Sequence, residues 1–298
     1  MLSCALGLVA RFIQSRNLDF FFITGLNYVV GFVGALTWMV FAGGWQADTP
    51  TIGFGMVQGA HYALTMLGSY LMFQRVGLGV TLTLTNMAVI VPTVASATLF
   101  NDRLMGHGLA GVALLVLSIG FVGRRSQKQQ SDVRLEWWYW PLVIGLIALY
   151  GAGQTGAKAF DALSVSGHQP TYVVIAFATA VPIAFGTFMV RSRIQPDLRS
   201  WRHAASYGSR VPARNLAVVI LLGIGFGITN VSQLGFLVLA LREVPGTFVF
   251  PIATASLVLF ASLAGSVFWR ERYGPVSYTH LRAHETEAAL VCRLLLEK

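Results

Sequence analysis

The chain has 298 residues, of which 55% are hydrophobic and only 11% charged, against roughly 25% charged in soluble domains. Its net charge of +9 is dispersed between long apolar runs rather than gathered in one stretch, which argues against a nucleic-acid partner and leaves no room for an appended soluble domain. The two cysteines, Cys4 and Cys292, have neither metal-ligand spacing nor a partner pattern, so no metal, cofactor or disulfide framework is expected.

In chain order, Met1–Ala10 is apolar but ends after ten residues at Arg11. That is too short to cross a bilayer, so the stub reads as the second half of a first transmembrane helix. A short interfacial segment is the alternative. Eight runs of at least 20 residues then follow without any Asp, Glu, Lys or Arg: Phe20–Ala42, Thr51–Gln74, Val76–Phe100, Leu104–Gly123, Trp137–Ala157, Thr171–Val190, Asn215–Leu241 and Val244–Trp269. A helix needs about 20 apolar residues to span the hydrocarbon core. Within lipid the backbone must satisfy its own hydrogen bonds, which demands helices or a closed barrel. Barrel strands alternate over about ten residues, unlike these continuous runs. The expectation is an all-α polytopic membrane protein, multi-pass in a cell (inner or plasma) membrane, with the lipid bilayer as its first partner.

The charges orient it. Arg11, Arg16, Arg75, Arg124, Arg125, Lys128, Arg134, the six Arg from Arg191 to Arg214, Arg270 and Arg272 give 15 basic residues on one side. Only Arg103, Lys158 and Arg242 fall in the intervening loops, 3 on the other side. This is the positive-inside asymmetry. If the stub spans, the N-terminus lies opposite the basic loops; if it stops short, the two share a side. The Trp137-Trp138-Tyr139-Trp140 cluster reads as an interfacial aromatic belt.

After Gly274-Pro275 the apolar pattern stops. The stretch Ser277-Tyr278-Thr279-His280-Leu281-Arg282-Ala283-His284-Glu285-Thr286 and the residues through Lys298 resemble translated sequencing-adaptor read-through. Residues 276–298 are therefore read as a non-native tail standing where a tenth helix belongs.

The spans divide around the basic linker 125–136, with five segments in 1–124 and four in 137–275. Short echoes recur in the same order in both halves. Ala10-Arg11-Phe12 matches Ala157-Lys158-Ala159-Phe160; Arg75 with Gly79 matches Arg242 with Gly246; Phe100-Asn101-Asp102-Arg103 matches Phe268-Trp269-Arg270-Glu271-Arg272. Five helices per copy would set the second copy upside down relative to the first, an architecture common in transporters. The expected fold is two inverted five-helix repeats, with nine helices present and the first incomplete.

On these features the chain resembles the EamA-type, ten-helix members of the drug/metabolite transporter superfamily. The likeness rests on Gly77-Leu78-Gly79-Val80 through Pro92 to Phe100-Asn101-Asp102-Arg103-Leu104, on Gly111 and Leu115–Gly123, and on Asn27-Tyr28. Asp102 stands where that family usually carries Glu, and Glu271 takes the place in the second half. The resemblance implies a central cavity between the repeats and movement of a small organic metabolite, amino-acid-like or otherwise polar, by efflux or facilitated exchange. A homodimer is left open as a partner.

Every acidic residue lies at a helix end or in a loop, so the intramembrane carboxylate that usually couples transport to protons is missing from these runs. The polar groups within them are neutral. Asn27, Tyr28, His61, Tyr62, Asn86, Tyr150, Gln154, Asn230 and Gln233 are candidates for a solute path; each also suits the plainer role of hydrogen-bonding one helix to the next. Arg11 and Lys158 are candidate cations at a cavity rim, with snorkelling to the interface as the alternative. Pro92 and Pro251 are candidate hinges, because proline frees a backbone carbonyl. Gly55-xxx-Gly59 and Gly223-xxx-Gly227 match the small-residue motif for close helix packing. No grouping suggests an enzyme. The readings that compete with facilitated transport are a non-transporting membrane receptor or structural protein, and a proton-coupled multidrug exporter.

Overall fold

The computed structural model describes residues 20–76, 81, 85–102, 140–164, 167–194 and 213–269. The N-terminal stub with Arg11, the run Leu104–Gly123, the basic linker, Glu271 and the tail lie outside the described residues. Among the described residues there are seven α-helices, one 3-10 turn and no strand: α1 Phe20–Phe41, α2 Thr49–Val76, the 3-10 turn Met87–Val89, α3 Ile90–Leu99, α4 Trp140–Leu163, α5 Gln169–Ile194, α6 Ala213–Glu243 and α7 Gly246–Trp269. Three are long and apolar enough to cross a membrane, over Phe22–Phe41, Gln169–Val190 and Val219–Glu243. Met87–Leu99 and Gly246–Phe260 are shorter apolar helices.

The helix boundaries follow local chemistry. Asp48 caps α2, its Oδ1 accepting the Thr51 N–H at 2.7 Å, the usual service of an N-terminal carboxylate. The end of α3 turns on Asn101 in the left-handed region (φ 53°), a conformation Asn tolerates; the Asp102 N–H then returns to the Ser96 carbonyl at 3.0 Å. The fourth apolar run does not form one continuous α-helix. It is α-helical at residues 85–86, passes through the 3-10 turn at Met87–Val89 and returns to α-helix at Ile90, just ahead of Pro92. Proline has no N–H to donate, so a change of helix type beside Pro92 has a ready cause. Pro182 and Pro251 sit inside α5 and α7.

The described residues fall into two compact units, one drawn from 2–67 and 159–239, the other from 68–158 and 240–298. In the first, α1 lies along α5, and Ile23, Phe160, Tyr172 and Phe177 are fully buried. Gly31 lies so close to the Phe177 ring that a methyl group there would collide with it. In the second unit α3 packs on α7. Met72, Val143 and Leu146 form its apolar core with Leu142, Ile147 and Tyr150 around them.

Candidate functional site

Helix α2 is built with its polar side inward. Positions 51, 55, 58, 62, 65, 69 and 72 are three or four residues apart and so share one face of a helix. Thr51, Gln58, Thr65, Ser69 and Met72 on that face are buried, as is Gly55. The opposite face exposes Ile52, Met56, Val57, Leu64, Leu67 and Leu71. Apolar outside and polar inside is the arrangement a lipid solvent selects, because buried polar groups then find partners in the protein. The same seam lowers the hydropathy of α2, which at 28 residues extends about 42 Å.

Within the first unit, α1, α2, α5 and α6 bring most of the candidate polar residues together. The Tyr28 hydroxyl donates to the Tyr62 carbonyl at 3.0 Å and approaches the Met66 sulfur at 3.9 Å. The Tyr28 and Tyr62 rings stack with centroids 6.2 Å apart, and Phe177 closes the triangle at 6.3 and 5.8 Å. One turn away on α2, Gln58 Nε2 lies 3.5 Å from His61 Nδ1, and the His61 ring packs on Tyr62 at 5.9 Å. Asn230 donates through Nδ2 to Asn27 Oδ1 at 3.3 Å, buried between α6 and α1. Gln233, one turn further along α6, is half-buried. The Tyr172 ring stacks on Phe160 at 4.0 Å, while its hydroxyl, fully buried, has no hydrogen-bond partner among the described residues. Beside this group, Ala63, Met66, Leu67, Ala184 and Thr187 line a shallow cleft with room for about one water molecule. The cluster offers hydrogen-bond donors, acceptors and aromatic faces, and none of these side chains is a carboxylic acid.

Two glycine pairs hold this unit together in matching ways. A methyl group on Gly55 would meet Ile175 at 2.9 Å, and one on Gly59 would strike the Ala176 carbonyl and, at 2.6 Å, Thr179 Cβ. A methyl on Gly223 would strike Leu26, and one on Gly227 would lie 2.5 Å from Val30 Cβ and 2.7 Å from the Asn27 carbonyl. Thus α2 packs on α5 at positions 175, 176 and 179, and α6 packs on α1 at positions 26, 27 and 30, in the same order.

One end of the unit is closed by polar contacts between the segments before α2 and α5. His168 Nδ1 lies 3.4 Å from Asp48 and 3.2 Å from Thr51 Oγ1. The Gln46 N–H donates to Thr171 Oγ1 at 3.2 Å.

The second unit holds the remaining candidates. Tyr150 and Ser69 share a hydrogen bond of 2.8 Å between hydroxyls. Gln154 on α4 and Asn86 before the 3-10 turn are half-buried, and Asn86 makes no side-chain cap there. Pro92 is buried and Pro251 half-buried. Lys158 is 7% exposed, and its Nζ lies 3.3 Å from Asp102 Oδ2. That same oxygen accepts the Gly246 N–H at 2.7 Å, at the first turn of α7. The cation expected at a rim is therefore engaged with a carboxylate. The segments around Asp102, Lys158 and Gly246 belong to the loops that the charge pattern puts on one side, and their convergence agrees with that pattern.

The residues not singled out from the sequence are Gln58, Thr51, Thr65 and Ser69, Tyr172, and the role of Asp102. The α2 group carries a signal in the sequence, polar residues at alternating steps of three and four. Tyr172 carries none, since it sits at the start of an otherwise apolar run. Among the described residues no group of three or more His, Cys, Asp or Glu is placed to hold a metal ion. No protein-family model matches the chain, and no curated protein sequence matches it. On fold and composition it is a helical protein with three candidate membrane spans among the described residues.

Proposed function

We propose that the chain is an integral membrane transporter of the EamA kind. It moves a small, polar, amino-acid-like organic solute by alternating access between two inverted five-helix repeats, in efflux or facilitated exchange. The observation that carries this reading is the matched glycine packing. If the second, third, seventh and eighth apolar runs correspond two by two, Gly55 and Gly59 answer to Gly223 and Gly227, and 26, 27 and 30 answer to 175, 176 and 179. In that register Tyr28 answers to Phe177, and their rings touch at 6.3 Å, as equivalent residues do beside a two-fold axis. Contacts of α1 with α5 and of α3 with α7 pair the second run with the seventh and the fourth with the ninth, again counterparts under a five-helix repeat. The echoes of Arg11 with Lys158, Gly79 with Gly246 and Glu271 with Asp102 belong to the same scheme.

Inverted repeats put the substrate site near the midplane, where the copies meet. The residues that register gathers are Asn27, Tyr28, Gln58, His61, Tyr62 and Asn230: neutral, hydrogen-bonding and aromatic. Such a set suits a zwitterion or neutral polar solute and holds no carboxylate of the kind that usually couples transport to protons. Lipid contact follows from the spans; the membrane is a cell (inner or plasma) membrane.

A single cysteine tests alternating access. With Cys4 and Cys292 replaced by Ser, Gln58→Cys in sealed vesicles should react with an impermeant thiol reagent supplied from either side. Reaction from one side only, whatever solute is present, would identify a receptor or a structural protein.

A further inference from the structure

The turn between α1 and α2 presents aromatic side chains outward and is pinned from behind. The Ala42 N–H donates to the Trp38 carbonyl and the Gly44 N–H to the Met39 carbonyl, both at 2.9 Å. Gly43 and Gly44, with φ of 109° and 87°, supply the left-handed backbone that this kind of helix ending requires. The Gln46 N–H then donates to Thr171 Oγ1 on α5 at 3.2 Å. Its side chain lies across the turn: a methyl group on Gly43 would stand 3.7 Å from its Nε2, and one on Gly167 3.2 Å from its Oε1. Asp48 caps α2 and meets His168. With its neighbours held in this way, Trp45 is nonetheless 59% exposed, and Phe41, the last residue of α1, is 86% exposed. Asp48 is the only charged residue between Phe41 and Thr49.

We infer that Phe41 and Trp45 form an interfacial anchor: the turn rests on the headgroup boundary of the bilayer, with the Trp45 ring seated among the lipid ester groups. The occupant follows from continuity. The candidate span Phe22–Phe41 ends at Phe41, and Val33, Leu36 and Val40 are exposed along the same helix. The lipid that faces them therefore reaches this turn. An indole combines an apolar body with one N–H donor, and it prefers the boundary to the hydrocarbon or the water. The turn lies on the side that the charge pattern leaves poor in basic residues. It carries no cation, so attraction to anionic headgroups contributes nothing. Such anchors fix how deep and at what tilt a helix sits. Tyr28 lies 13 residues before Phe41, about 20 Å along the helix axis. Half of the hydrocarbon core is about 15 Å. With Phe41 at the boundary, Tyr28 is therefore held within about 5 Å of the midplane. The anchor needs only the spans and does not depend on transport.

Difference fluorescence tests the anchor in the full chain, reconstituted in phosphatidylcholine nanodiscs. Emission that the parent has and Trp45→Phe lacks comes from residue 45. The anchor predicts that this emission lies to the blue of tryptophan in water and resists acrylamide. It should lose about half its intensity in lipid brominated near the ester end of its chains, as a ring at the interface would, and less in lipid brominated near the chain ends. Adding phosphatidylglycerol should leave the quenching unchanged; a rise on adding it would overturn the claim that headgroup charge plays no part. Emission as red as that of free tryptophan, quenched by acrylamide and untouched by either brominated lipid, would overturn the anchor and leave the turn standing in water, open to a soluble partner. Strongest quenching from the chain ends would overturn it too, by sinking the turn into the hydrocarbon. If Trp45→Phe does not insert, Trp45→Tyr supplies the same difference. The readout needs no solute, so a failed anchor is distinguishable from a failed transport assay.

Discussion

Replacing Gly227 by Ala, with Gly225→Ala as its control, weighs the close packing of the first unit directly. A methyl group on Gly227 would lie 2.5 Å from Val30 Cβ and 2.7 Å from the Asn27 carbonyl. Both obstacles are fixed to the α1 backbone and cannot rotate aside, so α6 must retreat from α1. Overpacking of this kind costs about 1–3 kcal/mol. The retreat also pulls on the bond from Asn230 to Asn27, already 3.3 Å long. At Gly225 a methyl would find nothing within 4 Å, and the better helix former contributes up to about 1 kcal/mol. For a chain of this size each kcal/mol moves the midpoint by about 2–4 °C. Thermal unfolding in nanodiscs should therefore put Gly227→Ala roughly 2–12 °C below Gly225→Ala. The same contrast is expected in α2, where Gly59 is crowded by α5 and Gly53 is open. Equal melting of the crowded and open variants would refute the packing argument and remove the main support for the repeat.

Three further outcomes follow from particular contacts. A double-mutant cycle on Asn27→Ala and Asn230→Ala should return a coupling of about 0.6 kcal/mol, the average for hydrogen bonds between membrane helices. Asp48→Ala removes the α2 cap and should lower stability by about 1 kcal/mol, with hydrogen exchange rising at residues 49–52 before the rest of the helix. Exchange of solute should change by less than about twofold when a proton gradient is imposed, because no carboxylate lies within the polar cluster; strict dependence on the gradient would favour the proton-coupled exporter.

Helical spans were the most legible feature, because an apolar run of 20 residues has few other uses. The described helices α1, α5 and α6 each match such a run. The break in the fourth run was not legible. Pro92 was visible as a possible hinge, but a proline can leave a helix α-helical, as Pro182 does in α5, so its presence alone did not announce the 3-10 turn ahead of it. Among polar residues, Asn27 and Asn230 were visible as polar atoms in apolar runs, yet their partnership joins residues 203 apart in sequence. Gln58 and Ser69 were hidden among commonplace polar residues until the 3-4 spacing on α2 is read as a buried face. Lys158 read as a rim cation because the sequence shows its charge; the carboxylate beside it comes from a loop more than fifty residues earlier.

Counterflow in proteoliposomes tests transport most directly. Vesicles carrying the chain are loaded with an unlabelled solute at high concentration, then diluted into a trace of the same solute labelled, across a panel of neutral and zwitterionic amino acids. The account predicts transient accumulation of label for at least one solute, slowed by Tyr28→Ala or Asn230→Ala and indifferent to a proton gradient. Entry no faster than into protein-free vesicles for every solute, in chains that are folded and inserted, would contradict it.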